Sequence, residues 1–157
     1  MIIRQAKEKD YFHLAEMKWQ HCMEDDDDYG ENNLKNVDKG DFTERFIDFL
    51  TAHKEYKIWV AEVYDEIVSA MFVYMIPKIP KPNGKSKYIA YLTNVFTVKE
   101  YRNQKIGMKL LGNIKKALAE EKCELIFVFP SENSVSFYER NGFSPENEIF
   151  ECDLNEE

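Results

Sequence analysis

The sequence predicts an α/β (α+β) domain in which helices and strands surround one mixed sheet. Two observations predict this fold class. The 157 residues are 44% hydrophobic, which is enough apolar material for one buried core. Stretches with the two-residue periodicity of strands and stretches with the 3.6-residue periodicity of helices follow one another along the chain. No repeat or linker interrupts them, so we expect a single domain over residues 1–157.

The N-terminal part is expected to form a strand followed by a helix. Ile2-Ile3 is prone to β-structure, and Asp10 can cap a helix that runs to about Cys22. The next stretch, 24–28, contains only Glu and Asp. Such side chains cannot lie in a core and would repel one another in a helix. This acidic stretch therefore predicts a solvated loop.

A second helix and a β-hairpin are expected to follow the acidic loop. Asp41 and Glu44 resemble a capping box, and the phenylalanines that come after it recur at helical spacing. Residues 57–64 and 67–76 are rich in β-branched and aromatic side chains and flank a break of two residues. These two runs predict the hairpin.

The C-terminal half has a less regular order. The predicted elements are a Pro-rich connection at 77–87, a strand at 88–98, an amphipathic helix from Ile106, a buried strand at 125–129, a short helix from Ser134 to Asn141 that Gly142 ends, and a closing strand from Ile149 to Cys152.

Composition excludes several classes of function. The net charge of -8 argues against a general nucleic-acid binder and favours a cationic partner. The first residues lack the apolar run of a signal peptide, and no window reaches the roughly 20 apolar residues of a membrane span, so a cytoplasmic location is expected. Cys22, Cys123 and Cys152 form no CxxC pair, and we expect free thiols and no metal.

One turn has the features of an anion site. It joins the strand at 88–98 to the helix from Ile106, and it consists of Arg102, Asn103, Gln104, Lys105, Ile106, Gly107 and Met108. Backbone N–H groups in the first turn of a helix have no partner inside the helix, and the helix dipole is positive there. The GxxxxGK pattern of a P-loop is absent. An ordinary helix start with one glycine is the alternative interpretation.

A second motif follows the strand at 125–129. With its NSVSFYERNGF stretch the chain resembles the GCN5-related N-acetyltransferase (GNAT) family, whose pattern there is NxxAxxFYxxxGF. The turn RNQKIG is similar to the family's R/Q-x-x-G-x-G/A motif, and FTVKEYR is similar to its VxPxYR. The resemblance implies a mixed, mostly antiparallel sheet with helices on both faces. It also implies acetyl-CoA as co-substrate and an amine acceptor, which could be a small molecule or a peptide. Homodimers are common in this family, so a homodimer is a possible assembly.

The resemblance also implies roles for individual residues. The backbones of Phe96 and Val98 would pair with the pantetheine arm of the cofactor, and the turn 102–108 would bind its pyrophosphate. Asn133 would hydrogen-bond the pantetheine, and Tyr138 would act as the general acid at the sulfur. Without the resemblance, Asn133 could simply cap a helix and Tyr138 could simply be a packed aromatic residue.

The chain departs from the family pattern at two positions. Lys105 replaces the first motif glycine, where a positive φ would cost a residue with a Cβ roughly 1 to 2 kcal/mol. Thr93 lies about where many relatives have a glutamate, so the general base is open between Glu24, the Asp25–Asp28 stretch, Glu62 and an ordered water. A catalytically silent acyl-CoA-binding module and a structural domain are the competing interpretations of the whole chain.

Overall fold

The computed structural model describes residues 1–24, 34–146 and 149–155, and these contain a five-stranded sheet in the order β1-β2-β3-β4-β5. The strands are β1 (Ile2–Gln5), β2 (Tyr56–Val63), β3 (Glu66–Pro77), β4 (Tyr88–Thr97) and β5 (Cys123–Phe127). Strands β1 to β4 pair antiparallel, and β5 runs parallel to β4. The predicted mixed, mostly antiparallel sheet is thus confirmed.

Helices cover both faces of the sheet. They are α1 (Tyr11–Glu24), α2 (Lys39–Ala52), α3 (Ile106–Glu120) and α4 (Val135–Arg140). On one face, Leu14 of α1 and Leu50 of α2 pack with Val60 of β2 in one apolar cluster. On the other face, Leu111 of α3 and Tyr138 of α4 belong to a second cluster. The sheet therefore separates two cores, and the functional residues are divided between them.

The two predicted helix caps differ from the observed ones. Asp38, not Asp41, caps α2, because its Oδ1 accepts the N–H of Asp41 at 2.7 Å. Asp10 lies in a 3-10 turn before α1, where it accepts the guanidinium of Arg4 at 2.7 Å and the N–H of Lys7 at 2.7 Å. Acidic residues near a helix start are recognised from sequence, but the residue that caps depends on where the backbone turns.

The hairpin and the amphipathic helix are confirmed, although the hairpin turn lies one residue before the predicted break at Asp65-Glu66. Tyr64 and Asp65, at φ 51° and 63°, form the two-residue turn between β2 and β3. Helix α3 buries Leu110, Leu111 and Ile114 completely, as its 3.6-residue spacing predicts.

The predicted ending of the fold is only partly correct. Strand β5 is not buried, because it lies at the edge of the sheet and leaves Leu125 40% exposed. The predicted strand from Ile149 to Cys152 is absent from the described residues, where Ile149 and Phe150 are exposed and pair with no strand. An alternating pattern forms a strand only when a partner edge is adjacent.

Glu24 is the last residue of α1 rather than part of a loop, and the rest of the acidic stretch, Asp25–Asp28, lies outside the described residues. Within the described ranges, no helix has the length and apolar character that a membrane span needs.

Candidate functional site

The sheet splits between its last two strands. Their pairing ends at Tyr91 and Phe127, beyond which β4 and β5 diverge. Strand β4 also carries a bulge, in which Asn94 has φ 49° and its Oδ1 accepts Lys18 Nζ at 2.6 Å. A bulge bends its strand. The result is a groove of about 1420 Å³ that opens in the split.

Side chains from both faces of the sheet line this groove. From the α3 and α4 side come Ile106, Gly107 and Tyr138, and from the C-terminal turn of α1 come His21 and Glu24. The groove is therefore accessible from both layers. Two reactants could enter it from opposite faces and meet where β4 and β5 part.

The groove brings together most of the predicted site residues. Those that line it are Phe96, Arg102, Asn103, Lys105, Ile106, Gly107, Met108, Asn133 and Tyr138. Val98 and Gln104 are not among the described residues that line it. The Gln104 side chain instead donates to the carbonyl of Glu100 at 3.0 Å, which fixes the shape of the turn.

The turn before α3 has the backbone of an anion site. Asn103 and Lys105 are left-handed, with φ 61° and 62°, and they alternate with residues of negative φ. Such alternation directs successive N–H groups toward one concavity. The N–H groups of Ile106 and Gly107 lie in the first helical turn, where no carbonyl of the helix can accept them. An anion in this concavity would meet several unpaired donors and the positive end of α3.

Lys105 and Gly107 contribute different features to the turn: Lys105 has the positive φ, and Gly107 leaves space in the groove. Lys105 takes the left-handed conformation, as the departure from the family pattern predicts, and bears its steric cost. Gly107 is helical, and its contribution is space. A Cβ at Gly107 would lie 3.6 Å from the ring of Phe137 and 3.8 Å from Thr97 Oγ1, where two walls of the groove approach each other.

Arg102 is held against α1. Its guanidinium forms an ion pair with Glu24, lies 5.3 Å from the centre of the Phe96 ring, and donates from Nε to the Thr97 carbonyl at 2.8 Å. Both partners of the ion pair are only partly exposed. The sequence predicted that the positive charge of Arg102 would bind a phosphate. In the structure, the carboxylate of Glu24 neutralises much of this charge.

The hydrogen-bond pattern of β4 directs the backbones of Phe96 and Val98, the predicted pantetheine contacts, toward β3. Val98 donates its N–H to the Val68 carbonyl of β3 at 2.9 Å. Bonded and non-bonded pairs alternate in an antiparallel ladder, so Phe96 also directs its backbone toward β3. Thr97 directs its own backbone away from β3, and its carbonyl accordingly accepts Arg102. The backbone available to the groove is that of Thr97 rather than that of Phe96 or Val98.

Tyr138 lies in an apolar pocket at the wall of the groove. It is 6% exposed, and its ring packs edge-on against Phe137 and Phe143 at 5.2 and 5.4 Å. Burial raises the pKa of its hydroxyl to about 12. Tyr138 is therefore a protonated donor at neutral pH.

Asn133 contributes an exposed amide to the groove. Ser134, not Asn133, occupies the N-cap position of α4, and its hydroxyl donates to the Ser131 carbonyl at 2.9 Å instead of accepting an N–H of the helix. The described contacts thus give Asn133 no capping role and leave its side chain beside the groove.

Sequence reasoning missed one groove residue and left the base open. His21, expected only on the apolar stripe of α1, stacks on Phe96 with ring centres 5.1 Å apart. The sequence around His21 does not predict that this residue lines the groove, because its position depends on how α1 packs over β4. Of the proposed bases, Glu24 lines the groove, whereas Glu62 is not among the described lining residues and is bound to Arg4 at 2.8 Å.

Comparison with known proteins gives the following matches. A sequence profile described as an acetyltransferase (GNAT) domain matches residues 54–145, more than half of the chain. A comparison with curated protein sequences finds no match.

Solved structures agree over nearly the whole chain. A predicted acetyltransferase with acetyl-CoA from Clostridium acetobutylicum is 21% identical, with a TM-score of 0.75 over 98% of this chain and 96% of that one. A GCN5-related N-acetyltransferase from Ralstonia eutropha is 18% identical, with a TM-score of 0.72 over 98% and 99%. Glucosamine-6-phosphate N-acetyltransferase from Arabidopsis thaliana is 17% identical, with a TM-score of 0.67 over 98% of each chain. At these identities the likeness is one of fold.

Proposed function

Because this chain belongs to the GNAT family of acetyltransferases, we propose that its groove holds acetyl-CoA and that the acetyl group passes directly to a primary amine. The observation that carries this proposal is the placement of an anion-binding turn, a buried phenol and an exposed amide along one groove. Each is weak evidence alone. Together they match the diphosphate, the sulfur and the amide-bearing arm of one cofactor.

The cofactor would lie along the split between β4 and β5. Its pyrophosphate would accept the N–H groups of the turn 102–108, beside the positive end of α3. The pantetheine amides would pair with the backbone of Thr97 and with the side chain of Asn133. This arrangement would place the thioester near Tyr138.

The transfer would need one bond to form and one to break. The nitrogen of a neutral amine attacks the thioester carbon, the C–N bond forms, and the C–S bond breaks to release a thiolate. Backbone N–H groups of β4 would polarise the carbonyl, and Tyr138 would protonate the departing sulfur. The nitrogen would lose one proton as the amide forms, and this proton would replace the one that Tyr138 gives to the sulfur. No step of the proposal uses a metal.

The raised pKa of Tyr138 changes the energetics of that last step. A pKa of about 12 lies about 3.5 units above the reference value of an alkyl thiol near 8.5, so proton donation is more uphill than an unperturbed tyrosine would make it. The same apolar pocket would also destabilise the thiolate and raise its pKa. The raised pKa of the thiol offsets part of the raised pKa of Tyr138, so the free-energy cost of the proton transfer is smaller than the difference of about 3.5 units implies.

The acceptor is proposed to be cationic before it reacts. The chain has a net charge of -8, and the Glu24 carboxylate lines the groove on the α1 side. A lysine-like amine with a pKa of about 10.4 needs roughly 5 kcal/mol to lose its proton at pH 7. Glu24 or an ordered water would receive that proton.

Two measurements test this proposal. CoA at 100 times its Kd should stabilise the protein by about 2.7 kcal/mol in a thermal unfolding assay, whereas a structural domain would show no shift. Turnover of acetyl-CoA should then appear with at least one member of a panel of polyamines, amino acids, aminoglycosides and peptides. CoA binding without turnover on any amine would favour the catalytically silent module instead.

A further inference from the structure

A row of aromatic rings crosses the α1 and α2 face of the sheet. Tyr56, Tyr74, Tyr91 and Phe127 are paired directly with one another in register on β2, β3, β4 and β5. Directly paired residues project from the same face of a sheet. The ring centres of Tyr56 and Tyr74 are 5.0 Å apart, and those of Tyr91 and Phe127 are 5.2 Å apart.

The row is extended at both ends. Phe49 of α2 lies 5.8 Å from Tyr56, and Phe129, just after β5, lies 5.8 Å from Tyr91. We call these six residues the aromatic row. The next residue pair on the same face of β2 and β3, Ile58 and Phe72, is buried beneath α1 and α2.

The helical cover ends at the aromatic row, whose members stay accessible. Phe49 is 47% exposed and Phe129 is 57% exposed, and the four strand residues between them are half-buried. Burial raises the pKa of the Tyr56 hydroxyl, with Tyr74 and Tyr91 adding to the effect, so this phenol stays protonated. The surface is therefore an apolar strip of aromatic rings with polar tips.

The aromatic row is continuous with the groove. Tyr91 and Phe129 belong to both, and they lie where β4 and β5 begin to separate. Among the proposed cofactor contacts, Ile106 and Tyr138 belong to the α3 and α4 layer. The groove is also lined from the other face of the sheet, so an acceptor that approaches the thioester from the side opposite Tyr138 would enter through the α1 and α2 layer. The aromatic row is the surface that leads to the split on that side.

We propose that the aromatic row is the acceptor subsite and that the acceptor carries its primary amine on a flat aromatic body. This inference rests on the proposed function. Six accessible rings give a planar ligand stacking and edge contacts that a saturated ligand of equal size lacks. Such contacts are worth about a three- to tenfold preference for the aromatic ligand. The phenol faces also favour the ammonium form as it approaches.

Three amines separate the contribution of the ring from that of the amine. 2-Phenylethylamine and 2-cyclohexylethylamine share charge, reach and approximate volume but differ in aromaticity, and ethylamine lacks the body. We expect kcat/KM with acetyl-CoA to be about three- to tenfold higher for the phenyl than for the cyclohexyl compound, and lowest for ethylamine. Equal values for all three amines would overturn the inference and leave the proposed function intact.

Matched variants place the effect on the aromatic row. Tyr74→Leu should abolish the preference for phenyl over cyclohexyl, whereas Tyr74→Phe, which keeps the ring, should retain it. Tyr64→Leu makes the same change at a 92% exposed tyrosine of the β2–β3 turn and should change nothing. The thermal shift that CoA produces reports in each variant that the fold is intact. A preference that survives in Tyr74→Leu would overturn the assignment.

Direct binding distinguishes failure of this inference from failure of the proposed function. Calorimetry of the CoA complex should show tighter binding of 2-phenylethylamine than of 2-cyclohexylethylamine, dependent on Tyr74, even if no product forms. That result without turnover would refute the enzyme and keep the subsite. If light scattering shows a dimer that Tyr74→Leu converts to a monomer, the occupant of the aromatic row is a second copy of the chain and the inference is wrong.

Discussion

Replacement of Lys105 by glycine should stabilise the protein and weaken its hold on CoA. Lys105 has φ 62° and ψ 13°, a conformation that costs a residue with a Cβ about 1 to 2 kcal/mol. Glycine removes this cost but loses about 0.5 to 1 kcal/mol more backbone entropy on folding. The expected net gain is about 1 kcal/mol. For a chain of this size that corresponds to a rise in Tm of about 2 to 4 °C.

The cofactor effect of Lys105→Gly has the opposite sign. The Lys105 side chain is exposed beside the anion-binding turn, where its ammonium can approach a phosphate. Its removal should raise the Kd for CoA by about two- to fivefold at low salt, the range of one exposed charge contact. The affinity for CoA should also depend less steeply on salt concentration, because one positive charge fewer attracts the phosphates.

Lys122→Gly is a control for both effects. Lys122 has φ 63° in the turn between α3 and β5, is exposed, and is not among the described residues that line the groove. The substitution removes the same charge and relieves the same strain, so it should raise stability equally and leave CoA binding unchanged. Urea unfolding and calorimetry at two salt concentrations measure both quantities. Unchanged CoA affinity and salt dependence in Lys105→Gly would refute the phosphate contact, and unchanged stability in both variants would refute the strain argument.

Three further predictions follow from the groove. Gly107→Ala should stabilise α3 by about 0.5 to 1 kcal/mol in urea unfolding, because alanine favours the helix and its methyl group would contact Phe137 at an ordinary distance. The same methyl group should weaken CoA binding, because it narrows the groove. Glu24→Gln should release Arg102 for the pyrophosphate, so calorimetry should show tighter CoA binding with at most about 1 kcal/mol lost in stability; weaker binding would contradict this role. Because burial raises the pKa of Tyr138 to about 12, kcat/KM should keep rising up to about pH 10 as the amine, whose pKa is about 10.4, loses its proton, and a falling limb between about pH 8 and 10 would contradict the role of Tyr138.

Local patterns predicted the parts of the fold that depend on neighbouring residues. The apolar spacing of α3 and the two-residue break of the hairpin each specify their own element, and both are confirmed. The positive φ at Lys105 was predicted from the resemblance to the family motif, which has a glycine at that position, and it is observed.

The features that depend on contacts between distant elements were not predictable. The exposure of β5 follows from its place at the sheet edge, and the ion pair of Arg102 with Glu24 follows from α1 reaching the turn before α3. The aromatic row exists only through the register of four strands, which no single segment encodes. Which backbone of β4 faces the groove, that of Thr97 or that of Phe96, likewise depends on the hydrogen-bond pairing of β4 with β3.

The most direct test of the proposed mechanism is the turnover of Tyr138→Phe on an accepted amine, followed by mass spectrometry of the N-acetylated product. Phenylalanine keeps the packing against Phe137 and Phe143 and removes only the proton donor. We predict that kcat falls by about 10- to 10⁴-fold while the Kd for CoA stays within about twofold of the wild-type value. Wild-type turnover in Tyr138→Phe would remove this residue from the chemistry and contradict the account of the groove as a site of acid-assisted acetyl transfer.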